Sequence, residues 1–160
     1  MARKTFLSFH YKNDSWRVSK IKQMGVIEEQ PLLSHNKWEE VENAGDAAIK
    51  KWIDDNMYGK SCLVVLIGAQ TAGRKWVKYE IKKAWDDKKG VLGVHIHNLS
   101  DSSGYRSQKG KNPFADFNVG GTPMTDLVKT YDPPYTDSKD VYNYIYNNLA
   151  DWVETAIQNR

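Results

Sequence analysis

Cysteine is almost absent from this chain. Cys62 is the single one among 160 residues, so no internal disulfide can form. Its place in the apolar run Cys62-Leu63-Val64-Val65-Leu66-Ile67 predicts a buried, inert thiol and suits a reducing compartment. Long hydrophobic stretches are missing as well: that run is the longest without glycine, far short of the roughly 20 residues a membrane-spanning helix needs. The opening Met-Ala-Arg-Lys-Thr-Phe has no apolar segment of a secretory signal. The expectation is therefore a soluble, cytoplasmic protein with no membrane partner. An excess of one charge is also lacking, because 23 Lys and Arg stand against 20 Asp and Glu for a net charge of +3. No continuous basic stripe with interleaved aromatics appears, which argues against nucleic acid as a partner.

Several motifs of site chemistry fail on inspection. Gly104 and Gly110-Lys111-Asn112 have one residue too many between the glycines for a phosphate-binding loop, and Asn112 stands where a Mg²⁺-binding hydroxyl belongs. No Gly-x-Gly-x-x-Gly follows the first strand-like segment, so Rossmann-type dinucleotide binding is unsupported. Ser8, Ser34 and Ser61 lack the setting of a nucleophile elbow. His95 and His97 would share one face of a strand, a start for two metal ligands, but no third ligand has suggestive spacing, and no metal is expected.

What is present is apolar and aromatic enough to fold. Hydrophobic residues make up 40% of the chain and charged ones 27%, inside the range of globular proteins and outside that of disordered ones. The length fits one domain spanning residues 1–160. Charge is distributed in blocks: residues 1–25 and 59–90 are basic, while 26–58 are acidic. Solvated helix faces of alternating sign explain this simply. A basic rim that attracts a phosphate-bearing ligand is the functional alternative.

Along the chain, Thr5 to Tyr11 reads as a first strand, and Lys12-Asn13-Asp14-Ser15 as a turn and helix cap leading to a helix that Gly25 stops. Residues 26–33, interrupted by Pro31, form a weak strand or edge segment. Ala44, Ala48, Ile49, Trp52 and Ile53 recur at helical spacing over about 43–56. Cys62 to Ile67 should be a central parallel strand, since apolar residues at every position fit a strand covered on both faces. A helix over about 72–89 carries the stripe Val77, Ile81 and Ala84, and a strand over 91–97 follows. Residues 100–125 are rich in Gly, Ser, Asn and Pro, as in a functional lid or mobile insertion, with Phe114 and Phe117 to bury. Leu127 to Tyr131 is a candidate last strand. Val141, Tyr144, Ile145, Leu149, Trp152, Val153 and Ala156 define one face of a C-terminal helix over about 140–158. Strands alternating with helices predict a doubly wound α/β fold, with five mainly parallel strands in flavodoxin-like order and helices on both faces.

Within this frame Glu80 draws attention. It lies four residues after Trp76 on the same helix face, beside the Val77-Ile81-Ala84 stripe and at the edge of the core. Two readings stand side by side: a surface ion pair with Lys83, or a carboxylate entering a ligand cleft at the carboxyl ends of the strands. At 1.5 Å per residue, a helix beginning near Ala72 puts Glu80 roughly 10 Å from its start, so only a long ligand would reach it.

Phe6-Leu7-Ser8-Phe9, the Ile-Gly end of the central strand and Trp76-Val77-Lys78-Tyr79-Glu80-Ile81 resemble a TIR domain. More closely, Lys4 to Tyr11, Val65 to Thr71, Gly93 to His97 and Lys111-Asn112-Pro113-Phe114 together resemble the compact bacterial TIR-like proteins of the Thoeris antiphage system. The resemblance implies a flavodoxin-like TIR fold, NAD⁺ as substrate rather than bound cofactor, and cleavage of the nicotinamide–ribose bond with Glu80 as the catalytic carboxylate. It implies that Phe9, His10 and Tyr11 border the nucleotide and that Trp76 forms a wall. It further implies an ADP-ribose-derived cyclic or conjugated messenger that activates a separate effector protein, a phage-derived trigger, and self-association. Two departures stand out: Val77 replaces the Cys that frequently follows Trp, and residues 28–45 lack the acidic and Pro-Gly loop signature tied to filament assembly. The same fold also serves as a non-catalytic interaction module, so the fold by itself does not choose between enzyme and scaffold.

Overall fold

The computed structural model describes residues 2–160. Its centre is β3 (Cys62–Ile67), buried along its whole length and paired in parallel with β1 (Lys4–Ser8) on one side and β4 (Gly90–His95) on the other. Two short strands complete this sheet, β2 (Glu28–Glu29) beside β1 and β7 (Thr130–Tyr131) beside β4. The resulting order β2-β1-β3-β4-β7 is the 2-1-3-4-5 order of flavodoxin-like folds, and every pairing in it is parallel. A separate antiparallel pair, β5 (Asn118–Val119) and β6 (Thr122–Pro123), lies between β4 and β7 in the chain.

Alternation along the strands sorts the core into two layers. Leu7, Cys62, Val64, Leu66, Leu92 and Val94 face a layer formed by α1 (Tyr11–Gln23) and α5 (Ser138–Gln158). Phe6, Leu63, Val65, Ile67 and Val91 face α3 (Asp46–Met57) and α4 (Lys75–Asp86). Apolar residues at every position of β3 thus serve two cores at once. Helix α5 starts where Asp137 accepts hydrogen bonds from the Lys139 and Asp140 amides, and it buries Val141, Ile145, Leu149, Trp152 and Val153.

The local boundaries differ from the sequence expectation in instructive places. Strand β1 ends at Ser8, and Tyr11 already opens α1 with His10 as its extended N-cap residue. The strand-like aromatic spacing of Phe9 and Tyr11 reflects ring stacking instead, at 5.8 Å between centroids. The expected helix over 43–56 is broken at Gly45, whose φ of +97° is open to glycine and strained for other residues. Ahead of it lies α2 (His35–Asn43), capped by Ser34. Among the described side chains, helix α2 buries none fully and holds only Trp38 and Val41 against the core, too few apolar positions to signal a helix by periodicity.

Residues 100–126 contain two single turns of 3-10 helix, Pro113–Asp116 and Met124–Asp126, besides the β5–β6 pair. Phe114 is fully buried against β4, where a side chain on Gly93 would come within 3.0 Å of its ring. The last strand shrinks to Thr130–Tyr131, with Leu127 exposed and Val128 buried.

Candidate active site

The first strand delivers Ser8 to the core. Period-two geometry puts Ser8 on the same face as Phe6, toward the α3–α4 layer, where an apolar residue would ordinarily sit. Its hydroxyl donates to Glu80 Oε1 at 2.6 Å, and both groups are buried. Helix α4 begins at Lys75, so Glu80 lies about 7–8 Å along the helix, closer to its start than the sequence suggested. The surface ion pair with Lys83 does not exist: Lys83 reaches Asp87 at 3.3 Å and Asp54 at 3.9 Å instead. The two side chains are neighbours on the helix, but Glu80 turns inward to Ser8 of β1 while Lys83 reaches outward to Asp54 of α3 and Asp87.

Glu80 is only 7% exposed, and Ser8 is its sole hydrogen-bond partner among the described residues. Burial penalises the carboxylate form, and the Ser8 hydroxyl offsets this only in part, so the carboxyl is pushed up to about 8. The exposed edge of Glu80 lines a cleft of about 400 Å³ that also touches Phe9, His10, Tyr11 and Trp76. All five residues singled out in the sequence therefore meet at one place.

The walls of this cleft come from β1 and helices α1 to α4. Trp38 of α2 stacks on Tyr11 at 5.2 Å and stands edge-on to Trp52 at 6.1 Å, which in turn meets Phe6. The Tyr11 hydroxyl donates to the Leu33 carbonyl, tying the start of α1 to the segment before α2. Lys12 of α1 and Arg74 and Lys75 at the start of α4 contribute positive charge, while Glu39 and Glu42 of α2 contribute negative charge. Lys75 is paired with Asp46 at 2.5 Å and lies over the Trp76 ring. His10 is buried with Nδ1 unpartnered, and burial, with Arg74 and Lys12 nearby, lowers it to about 4. It is neutral at pH 7.

Gln30 was not anticipated. Immediately after β2, its side-chain amide donates to the Leu7 carbonyl and its oxygen accepts from the Leu7 amide, both at 2.9 Å, so that it continues the sheet edge beside Ser8. A polar residue within a weak, proline-interrupted segment gave no local sign of this. Ser8 carried one usable sign, a hydroxyl on the apolar face of an alternating strand, although it was weighed only as a nucleophile.

Other polar groups lie elsewhere. Asp14 and Arg17 form a buried pair at 3.1 Å on α1, and Arg17 also donates to the carbonyls of Leu99 and Tyr105. These bonds anchor the start of the 100–125 segment, none of whose residues lines the cleft. His95 and His97 meet edge to face at 5.7 Å, both buried and both lowered chiefly by burial. Among the described residues, no group of three or more His, Cys, Asp or Glu could hold a metal ion. Cys62 is buried, and burial pushes its thiol up to about 12. No helix among the described residues is long and apolar enough to cross a membrane.

A doubly wound parallel sheet with a buried acid on the helix after its central strand defines a TIR-like α/β domain. Residues 6–101, more than half of the chain, match the family described as the Thoeris protein ThsB, TIR-like domain, and the chain belongs to that family. Over 119 residues it is 34% identical to a protein of Bacillus cereus (strain MSX-D12) named "Putative cyclic ADP-D-ribose synthase ThsB1". The aligned stretch covers 71% of this chain and 62% of that protein, so the chain spans less than two thirds of its relative's length.

Proposed function

We propose that this chain cleaves NAD⁺ at the nicotinamide–ribose bond and converts the ADP-ribose portion into a cyclic or conjugated signal that activates a separate effector in antiphage defence. The observation that carries this reading is Glu80, a buried carboxyl bonded to a hydroxyl and not to a cation, lining a cleft of about 400 Å³. The family and the printed name of the relative support it.

The chemistry follows from where charge develops. As the C1′–N bond breaks, its electron pair leaves with nicotinamide and positive charge grows on the ribose. A carboxylate fixed beside that sugar in a poorly solvated cleft stabilises the oxocarbenium-like state far better than one in water. Attack on C1′ by a nucleophilic atom of the same ADP-ribose, with loss of its proton, gives a cyclic product. Attack by water gives ADP-ribose. The pyridinium ring of the substrate brings a positive charge next to Glu80, whose own partner is a neutral hydroxyl, and this favours the ionised carboxyl once substrate is bound. Phe9, Tyr11 and Trp76 line the cleft with aromatic surface, and Lys12 and Arg74 offer charge to the diphosphate.

Glu80→Gln keeps the shape and removes the charge. Nicotinamide release by the purified variant at high protein concentration, or from infected cells, should fall by about 10²–10³-fold, the usual scale for removing a preorganised electrostatic group. Release at the parental rate sinks the assignment. An unchanged protective phenotype would instead favour the interaction-module reading.

A further inference from the structure

The contact between Ser8 and Glu80 joins residues 72 positions apart, from the end of β1 to the middle of α4. Ser8 is fully buried and fixed in the sheet by its parallel register with Val65, so its hydroxyl is held by backbone geometry rather than by a mobile loop. Next to it, the Gln30 side chain bonds both polar groups of the Leu7 backbone and keeps the strand edge closed where β2 has ended. The surrounding residues of that face, Phe6, Val65, Val77 and Ile81, are apolar and offer Glu80 no second polar partner. A lone hydroxyl therefore decides where this carboxyl points.

We propose that Ser8 is the positioning residue for Glu80: its hydroxyl holds Oε1 against β1, turns Oε2 to the cleft, and favours the ionised carboxyl needed when positive charge develops on substrate. The proposal rests on the reading of Glu80 given above. Ser8 touches no substrate in it; it acts through Glu80. A hydrogen bond donated to a carboxylate stabilises the charged form and is stronger than one between neutral groups. Apolar packing alone would push the carboxyl still higher and leave it free to choose among rotamers.

The decisive variants are Ser8→Ala, which removes the donor, and Ser8→Thr, which keeps it. In the full chain, the Glu80 carboxyl is followed by ¹³C NMR as pH is raised, with nicotinamide release measured over the same range. With Ser8→Ala, the Glu80 titration and the acidic limb of the pH–rate profile should both move upward by about one pH unit. At pH 7 kcat should fall about tenfold while KM stays within about twofold, since the effect enters only where charge develops. Ser8→Thr should restore the parental titration. A purely structural hydroxyl would alter thermal stability and leave both profiles in place; superimposable profiles for Ser8→Ala and the parent overturn the proposal. Its failure and that of the functional reading are separable. Full turnover by Glu80→Gln overturns both, whereas an inactive Glu80→Gln beside an unmoved Ser8→Ala titration overturns the role of Ser8 alone.

Discussion

Two carboxyl groups are buried near the carboxyl ends of the central strands, and they end in contrasting situations. Asp14, 1% exposed, sits against Gly68 at the end of β3 with the Arg17 guanidinium at 3.1 Å. Burial raises its carboxyl, and Arg17 offsets this in part. The same guanidinium closes the arrangement by donating to the Leu99 and Tyr105 carbonyls. Glu80 has similar burial, a neutral hydroxyl for company and a cleft on its open side. A buried acid whose charge is already answered holds a loop in place. One whose charge is unanswered is available to a cationic ligand, and this contrast separates the structural acid from the candidate catalytic one.

Breaking the first arrangement should have the largest effect on folding. Asp14→Ala leaves the Arg17 charge buried without its partner, and should lower unfolding free energy by ~3–5 kcal/mol in denaturant titration. Adding Arg17→Met should recover part of that loss. If Asp14→Ala alone cost less than about 1 kcal/mol, the pair would not be the anchor described here.

The second arrangement predicts the opposite sign. The folded-state carboxyl of Glu80 at about 8 lies above its ordinary value of 4.5, so the folded chain keeps a proton that the unfolded chain has released between those values. Its contribution to stability is level below pH 4.5, declines as pH rises through the window, and is level again above about 8. Glu80→Gln has no such proton and retains an acceptor for Ser8. Thermal or urea unfolding should therefore find it about 2–4 kcal/mol more stable than the parent at pH 9, and nearly equal at pH 4. Equal stability at both pH values would show that Glu80 is not held in a low-dielectric setting.

The smallest effect is expected at Lys83, whose pairs with Asp54 and Asp87 are partly exposed and turned away from the cleft. Lys83→Ala should change stability by less than about 0.5–1 kcal/mol and leave nicotinamide release unchanged. A marked loss of release would tie Lys83 to Glu80 after all.

Much of the architecture was legible because periodicity reports burial. The uniformly apolar Cys62–Ile67 fits a strand covered on both faces, and the stripe from Val141 to Val153 fits a helix with one buried face. Helix α2 escaped because, among the described side chains, Trp38 and Val41 alone mark its inner side. The spacing of Phe9 and Tyr11 misled because Phe9 stacked on Tyr11, and Tyr11 on Trp38, imitate the alternation of a strand. Gly45 lay inside a run of helix-forming residues and divided it by its backbone conformation.

The sequence by itself settled the doubly wound sheet, its two cores and the place of Glu80 beside, rather than within, the apolar stripe of α4. Those features depend on local pattern, which the order of residues carries directly. Tertiary structure alone decided what Glu80 meets: Ser8 rather than Lys83, Gln30 at the strand edge, and a wall supplied by a helix that periodicity did not announce. Such contacts depend on how a strand register and a helix rotation coincide across 72 residues of chain, and the charge state of a carboxyl follows from that coincidence.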